Sequence, residues 1–154
     1  MNPNAKFITE GQVLEWLNEV KDPEMPTISL VELGVVDAVS VGEDASVRVR
    51  LVPTFSGCFA SSYMAMEAKA RLEAAGLKNV VVELDKLTPW GSERITPAGR
   101  EKLLAFGVSP PGTAVCPHCR STNSEAVSEF GPTLCRAVRR CLDCAETFEQ
   151  FKTI

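Results

Sequence analysis

"CPHCRSTNSEAVSEFGPTLCRAVRRCLDC", residues 116–144, decides how the C-terminal part of this chain folds. The stretch holds five of the six cysteines, and four of them form two C-x2-C pairs, namely Cys116, Cys119, Cys141 and Cys144. Twenty-one residues separate the pairs, a spacing close to that of tetrathiolate zinc sites. Two such pairs complete a tetrahedral sulfur shell suited to Zn²⁺. We therefore predict that the four cysteines bind a structural zinc ion; an iron–sulfur cluster, which four thiolates also hold, is the alternative.

A metal would also explain how so short a segment can fold. Domains below about 40 residues usually need a metal, a disulfide or a partner, because they bury too little apolar surface. The runs "EAVSEF", "RAVRR" and "ETFEQF" are typical of the short strands of a ribbon. Residues 114–154 are therefore predicted to form a zinc-ribbon domain. Residues 109–113 are predicted to be a linker, because Pro110, Pro111 and Gly112 interrupt regular structure.

Two further side chains of this region are candidate ligands. His118 lies inside the first pair and could replace a thiolate, because imidazole binds zinc well. With four cysteines available, we expect it to be an exposed residue of the turn. Cys135 is a surplus thiol: a fifth, exchanging ligand, a redox thiol, or a small buried core residue.

The first 108 residues alternate between helix and strand signals. Helical spacing over residues 11–20 stops at the prolines of "KDPEMP", and two β-rich runs flank the turn "GED". An alanine-rich helix is predicted over residues 60–75, followed by a strand in "KNVVVELDKL" and a helix that begins at Thr96. This order predicts an α+β domain over residues 1–108, a small three-stranded sheet packed by helices.

Composition and charge narrow the function classes. The chain has 154 residues, of which 45% are hydrophobic and 23% charged, as in ordinary globular proteins. No run is long and apolar enough for a membrane helix, and the N-terminus lacks the order of a secretory signal, so we expect a cytoplasmic protein. Clustered cysteines in a reducing compartment indicate metal or redox sites. A net charge of −4 argues against a broad electrostatic grip on nucleic acid or anionic lipid.

The ribbon itself is electrically neutral. It carries five basic residues, Arg120, Arg136, Arg139, Arg140 and Lys152, and five acidic ones, Glu125, Glu129, Asp143, Glu146 and Glu149. The arginines of "RAVRR" could form a local anion patch, but we expect a solvated strand face. We therefore expect no nucleic-acid partner.

Cys58 stands alone upstream, in "TFSGCFA". It follows a predicted strand and precedes the helix that begins near residue 60, where helix N–H groups can stabilise a thiolate, the form that ligates metal. A half-buried structural cysteine is the other interpretation. Neither Thr54 nor Ser56 has a nearby base for a hydrolase triad, since the only histidine lies in the other domain. We expect no catalytic activity of the chain's own.

Two parts of the chain resemble known protein families. "DPEMPTISLVELGVV" (residues 22–36) and "PTFSGC" (residues 53–58) resemble the iron–sulfur assembly domain family, whose members help to mature iron–sulfur proteins. "GVSPPG", "CPHC" and "SEFGPTLCRAVRRCLDCAETFEQFKTI" resemble the D subunits of the ring-1,2-phenylacetyl-CoA epoxidase system. Together the two matches span nearly the whole chain. Phe59, where proline is common, and Arg94, where a second tryptophan is expected, depart from the pattern.

The resemblance implies a role in aerobic phenylacetate catabolism, in which a di-iron oxygenase and a flavin/iron–sulfur reductase epoxidise the ring of phenylacetyl-CoA. The family member of this type is an accessory or maturation factor, and this chain lacks the Glu plus Glu-x-x-His pattern of a di-iron centre. Cys58 matches the family's functional cysteine, which implies a transient metal or iron–sulfur cluster ligand. Asp22, Glu24 and Thr54 match the surrounding motifs and are expected to support that loop; Asp22 and Glu24 fit a helix-ending turn equally well.

The leading hypothesis is a maturation factor for the metallocentres of the epoxidase system, with the reductase or oxygenase subunits as protein clients. The alternative is a structural subunit that bridges epoxidase components without handling iron. Cys58 supplies only one ligand, so a cluster there needs a second copy of the chain, glutathione or the client to complete its shell. A homodimer is one arrangement that meets this need.

Overall fold

A computed structural model describes residues 8–23, 25–54, 60–112, 114–132 and 136–151 of the chain. These ranges contain three α-helices and seven strands, and the strands form two sheets. The predicted α+β class is confirmed, with a three-stranded sheet and helices followed by a cysteine-bearing β-ribbon. No helix in the described ranges combines the length and apolar character that crossing a bilayer requires.

The first helix, α1 (Glu10–Leu17), begins with a reciprocal cap. The Thr9 side chain accepts a hydrogen bond from the Gln12 amide, and the Gln12 side chain accepts one from the Thr9 amide. The helix ends three residues before the predicted position 20. Beyond Leu17 the chain tightens into a turn, in which the Val20 amide donates to the Leu17 carbonyl at 3.0 Å.

The N-terminal sheet joins a hairpin to a parallel strand. Its strands are β1 (Val36–Val41), β2 (Val47–Leu51) and β3 (Val80–Leu84), in the order β1-β2-β3. Strands β1 and β2 are antiparallel, whereas β2 and β3 are parallel and are connected through α2 (Ala60–Ala74). Along β2 the apolar side chains are buried and the two arginines are exposed, as the alternation predicts. The carboxyl ends of β2 and β3 therefore lie side by side at one edge of the sheet.

The third helix, α3 (Pro97–Phe106), begins at the predicted cap and ends at a glycine. The Thr96 hydroxyl accepts a hydrogen bond from the Gly99 amide, and Gly107 ends the helix with φ of 93°. Gly99 lies so close to the Glu32 carbonyl that a β-carbon would be 2.5 Å from its oxygen. This approach packs the start of α3 tightly against the segment before β1.

The C-terminal sheet contains the predicted ribbon and one additional strand. Its strands are β4 (Val108–Ser109), β5 (Ser124–Ser128), β6 (Arg136–Cys141) and β7 (Thr147–Phe151), in the order β4-β7-β6-β5. The strands β5, β6 and β7 confirm the three predicted runs. Val108 and Ser109 pair in parallel with β7, at the predicted boundary between domain and linker. The expectation that the linker is irregular is therefore wrong at Ser109, while the division into two domains stays a prediction.

Two hydrophobic cores of very different size lie on the two sides of that boundary. The larger core fills the space between the N-terminal sheet and the helices. The ribbon's own buried cluster in the described residues consists of Cys116, Cys141 and Phe148. Phe151, at the end of β7, belongs to the larger core, where its ring centroid lies 5.5 Å from that of Trp90 at a tilt of 55°. The last ribbon strand is therefore packed into the N-terminal core.

Candidate metal centre and sheet-edge site

The two C-x2-C pairs form two turns that are closed by the same type of backbone hydrogen bond. In the first turn the Arg120 amide donates to the Cys116 carbonyl at 2.8 Å, and the His118 amide points to the Cys116 sulfur at 3.4 Å. In the second turn the Ala145 amide donates to the Cys141 carbonyl at 3.0 Å. The Cys144 amide points to the Cys141 sulfur at 3.5 Å. Backbone N–H groups aimed at sulfur stabilise thiolates, which are the metal-binding form of cysteine.

Each turn uses a non-glycine residue in the left-handed region. Arg120 and Ala145 both have φ of 67°, and each directly follows the second cysteine of its pair. This strained conformation lets both cysteine side chains of a pair point to the same side. The Ser121 hydroxyl donates to the Asp143 carboxylate and so ties the two turns together.

The four cysteine sulfurs converge on one point. The Cys116 and Cys144 sulfurs are 3.7 Å apart, those of Cys119 and Cys141 are 3.5 Å apart, and all four lie within 4.8 Å of one another. Zinc–sulfur bonds of about 2.3 Å in a tetrahedron place sulfurs about 3.8 Å apart. The described residues hold no other metal-binding group of this kind. The four-cysteine cluster thus supports structural zinc.

Without a metal, the surroundings shift the pKa values of Cys141 and Cys144 in opposite directions. The Cys144 amide, followed by smaller effects of its surroundings, lowers the pKa of Cys141 to about 7. At Cys144 the Glu146 amide lowers the pKa, but burial and the neighbouring sulfurs outweigh it and raise the pKa to about 12. Packing four sulfurs so closely is unfavourable unless a cation shares their charge. The chemistry of the donor set therefore fits a divalent, thiophilic metal such as Zn²⁺.

The other predicted ligand residues have separate positions. His118 is exposed and lies outside the group of four sulfurs. Cys135, Cys58 and Glu24 lie outside the described residues, so their proposed roles stay predictions.

The burial of Arg136 shows that the expectation of a solvent-exposed strand face for the arginines of "RAVRR" is wrong at this residue. Its side chain is only 6% exposed, and its Nη1 forms an ion pair with the Glu149 carboxylate at 2.8 Å. Its remaining Nε and Nη2 groups are buried and have no hydrogen-bond partner among the described residues. Arg139 bonds the Ser124 hydroxyl and carbonyl instead of facing an anion. Neither a solvated strand face nor an anion patch describes Arg136, because it pairs in register with the core residue Phe151.

Asp22 shapes the loop that follows α1. Its carboxylate accepts a hydrogen bond from the Met25 amide at 3.1 Å, and its own amide donates to the Ile28 carbonyl at 2.9 Å. The side chain is 8% exposed. Together with Tyr63 of α2, this loop lines a groove of about 480 Å³. The geometry gives Asp22 a loop-shaping contact and places the loop beside the helix that begins just after residue 59.

Thr54 lies where the carboxyl ends of β2 and β3 meet. It lines a polar cavity of about 200 Å³ together with Lys86, Thr88 and Trp90. Loops after adjacent parallel strands meet at one sheet edge, a common position for binding sites in α/β folds. Cys58 follows Thr54 by four residues in the connection from β2 to α2. The described part of the connection from β2 to α2 therefore lines this cavity.

Three features of this region have no clear signal in the sequence. They are the Trp90–Phe151 contact, the buried Arg136–Glu149 pair and the turn at residues 85–88. An arginine in a short exposed-looking run such as "RAVRR" is expected to face solvent, and an isolated tryptophan does not indicate its partner. Only the alternation along β6 and β7, which places Arg136 and Phe151 at opposing positions, could have indicated the second feature.

Comparison with known proteins finds both predicted parts. Residues 10–84 match the family model described as "Iron-sulfur cluster assembly protein", and residues 105–152 match the model described as "PaaD zinc beta ribbon domain". A crystal structure of a domain of unknown function, DUF59, from Bacillus anthracis has a similar fold. It is 24% identical, has a TM-score of 0.56, and covers 64% of this chain and 91% of its own.

Two curated relatives extend the match over more of the chain. A protein named Fe-S protein maturation auxiliary factor from Porphyromonas gingivalis is 28% identical over 68% of this chain and 97% of its own length. A protein of Escherichia coli K12, assigned as the D component of 1,2-phenylacetyl-CoA epoxidase, is 33% identical. That match covers 90% of this chain and 89% of the relative. Because this relative is more than 30% identical over most of both chains, and both family models match as well, the chain belongs to the PaaD family, the D subunits of phenylacetyl-CoA epoxidase.

Proposed function

We propose that this chain is a non-catalytic maturation factor for the metallocentres of a phenylacetyl-CoA epoxidase system. Cys58 would be a transient ligand of iron or of an iron–sulfur cluster. The observation that carries the proposal is the division of the cysteines. Four are gathered at one centre in the ribbon, while Cys58 lies in the part matched by iron–sulfur cluster assembly proteins.

The two metal roles would differ in permanence. A closed four-sulfur shell holds its metal as part of the fold, because no open position remains for exchange. A single cysteine binds weakly by itself and needs ligands from elsewhere, which suits transfer to a client. The relative from P. gingivalis, named as an Fe-S protein maturation factor, supports this role. The relative from E. coli supports an epoxidase as the recipient.

The sequence gives no support for a catalytic role of the chain itself. A di-iron oxygenase of the helical-bundle type uses carboxylates and histidines from several helices. This chain has one histidine, His118, and it lies in the first cysteine turn. An accessory role that acts on the epoxidase proteins is the simpler conclusion.

Metal analysis tests the proposal directly. The unaltered chain, Cys58→Ser and Cys141→Ser are purified anaerobically and analysed for zinc, iron and visible absorption. We expect about one zinc per chain that is lost in Cys141→Ser, and substoichiometric iron that is lost in Cys58→Ser. In cells, deletion should leave the oxygenase and reductase polypeptides present but poorly metallated. Normal iron content and epoxidase activity in the deletion strain would contradict the proposal.

A second candidate function is a bridging subunit that handles no iron. It is favoured by the firm attachment of the ribbon to the N-terminal core through β4 and Phe151, because such attachment suits a rigid connector. Cys58→Ser separates the two functions. Full complementation of a deletion strain by this variant would support the bridge, whereas loss of epoxidase activity with normal protein levels would support maturation.

A further inference from the structure

The turn at residues 85–88, which follows β3, is held in place by a single carboxylate. Asp85 accepts hydrogen bonds from the Leu87 amide at 2.9 Å and the Thr88 amide at 3.1 Å. The Thr88 hydroxyl donates to the same carboxylate at 2.5 Å. These bonds, led by that of the Thr88 hydroxyl, hold the pKa of Asp85 well below its usual range. The turn is therefore fixed by bonds inside the loop.

Arginines attach this turn to the sheet. Arg50 of β2 forms an ion pair with Asp85 and donates to the Thr88 hydroxyl at 3.0 Å. Arg50 also lies 3.4 Å from Asp37, which in turn pairs with Arg94 at 2.9 Å. A network of two arginines and two carboxylates holds its side chains in defined positions, which an isolated surface ion pair does not. The turn is preorganised rather than free to adapt.

This rigid turn presents an apolar side chain to solvent. Leu87 is 95% exposed, more than any other large hydrophobic residue in the described part of the chain. It lines the cavity that also includes Thr54, which precedes Cys58 by four residues in the chain. A single exposed leucine is ordinary on a protein surface. A leucine held outward by a network of polar contacts, at a cavity that Thr54 also lines, has the form of a binding anchor, because little entropy is lost when it is buried.

The charge around Leu87 indicates the kind of partner. The two arginines of the network are balanced by Asp37 and Asp85, whereas the exposed Lys86 has no ion pair with the described residues. An acidic rim on the partner would therefore complement the turn. A second copy of this chain is a poor occupant, because a twofold contact through Leu87 would bring two Lys86 side chains together.

We propose that residues 85–88 are the docking element for the protein client. Leu87 enters an apolar pocket of the client, and Lys86 meets a carboxylate at the rim of that pocket. This inference rests on the proposed function, since the client is the protein that would receive metal from Cys58. It adds the docking surface and the chemistry of the partner, which the proposed function leaves open.

Photocrosslinking tests where the client docks. The full chain carries p-benzoylphenylalanine at position 87 or, as a control, at position 127. Val127 is 56% exposed on the edge strand of the ribbon. Each form is irradiated with the purified oxygenase component and, separately, with the reductase component of the epoxidase. We expect crosslinks to one component from position 87 and none from position 127. Crosslinks from position 127 alone, from neither position, or from position 87 only to a second copy would overturn the proposal.

Affinity measurements distinguish this inference from the proposed function. Leu87→Ala should weaken binding to the crosslinked component about tenfold or more, whereas Val127→Ala should leave the Kd unchanged. Lys86→Glu should weaken binding at low salt, with an effect that shrinks as ionic strength rises. An unchanged Kd for Leu87→Ala would overturn the docking element. Cys58→Ser should bind normally; if iron delivery also stays normal in this variant, the proposed function fails while the docking element stands.

Discussion

The two parts of this molecule are stabilised by different means. The N-terminal part has a continuous apolar core between a sheet and helices, in which residues such as Leu17, Leu51 and Leu72 are fully buried. The described ribbon buries only two cysteines and one phenylalanine of its own. Apolar burial stabilises the first part by roughly 25 cal/mol per Å². The ribbon's own cluster has too little such surface, so we expect a bound metal to supply much of its folding energy.

The two parts meet at a seam, formed by Val108, Phe151 and the buried Arg136–Glu149 pair. Phe151 and Val108 belong to the ribbon sheet by hydrogen bonding but to the N-terminal core by packing. The buried pair of Arg136 and Glu149 lies on the same two strands as Phe151. The metal-stabilised part therefore ends inside the apolar core. A substitution in one part should therefore leave the other part intact, unless it lies at this seam.

The largest expected effect comes from removing the metal site. Cys141→Ser should abolish stoichiometric zinc, because it leaves three thiolates where four close the shell. Structural zinc sites contribute on the order of 10–16 kcal/mol, far more than the ribbon's own core. Hydrogen exchange should show loss of protection in β5 and β6, while β2 stays protected. The measurement is exchange followed by mass spectrometry, with zinc determined on the same sample.

Cys58→Ser is the matched control, since it also removes one thiol but Cys58 belongs to neither C-x2-C pair. It should keep full zinc and normal exchange throughout the ribbon. If Cys141→Ser removes protection from hydrogen exchange in β2 as strongly as in β6, the two parts fold as one unit and are not stabilised separately.

Much of this fold can be predicted from the sequence because its signals are local. Alternation identifies β2, and the threonine cap and the following proline identify the start of α3. The paired cysteine spacing indicates the centre in the ribbon, whose sulfurs do converge. Each of these signals depends on residues that are close together in the chain.

The seam between the two parts cannot be predicted in this way. The two-residue strand β4 follows a helix and precedes two prolines, so its sequence resembles a linker. Its pairing with β7 depends on residues about 40 positions away, and no local propensity encodes that contact. Likewise, the burial of Arg136 follows from its position opposite Phe151 rather than from its own polarity. Tertiary context decides all of these features.

The second prediction tests the seam directly. Phe151→Ala should cost about 3–5 kcal/mol of unfolding free energy, because a fully buried aromatic ring leaves a cavity. It should also change the fluorescence of Trp90, whose ring it contacts. Trp16→Phe serves as the background, so that Trp90 is the only tryptophan. Urea denaturation and emission spectra give the two measurements.

Phe106→Ala is the control for this change, since its side chain is 41% exposed and should cost far less. Zinc binding should survive in Phe151→Ala, because the four sulfurs lie at the other end of the ribbon strands. An unchanged Trp90 spectrum with unchanged stability would show that packing at the seam does not contribute to the free energy of unfolding.

The third prediction removes apolar surface from the N-terminal core alone. Leu72→Ala on α2 should cost about 2–5 kcal/mol, because this side chain is fully buried. The zinc content should not change. Met66→Ala on the same helix is 60% exposed and should stay within about 0.5 kcal/mol of the unaltered chain. Loss of zinc in Leu72→Ala would show that the ribbon needs the N-terminal core to hold its metal.

The smallest expected effect is electrostatic and depends on pH. Burial raises the pKa of Glu32, but hydrogen bonds from Lys102 and Ser29 outweigh it, so the pKa lies below its ordinary value of 4.5. A lowered pKa in the folded state means that the charged form stabilises the fold above the ordinary pKa. That contribution disappears as the pH falls through the lowered value. Lys102→Met should therefore cost about 1 kcal/mol near neutral pH, since Lys102 is partly exposed, and nothing in strong acid.

The measurement is the difference in unfolding free energy between Lys102→Met and the unaltered chain at several pH values. Acid also protonates the ribbon thiols and releases metal, but this happens equally in both proteins and cancels in the difference. Lys69→Met removes an exposed charge from α2 and should give a small difference at every pH. If the Lys102→Met difference is constant across the range, Lys102 stabilises the fold through the packing of its methylene groups, and the Glu32 ion pair contributes nothing.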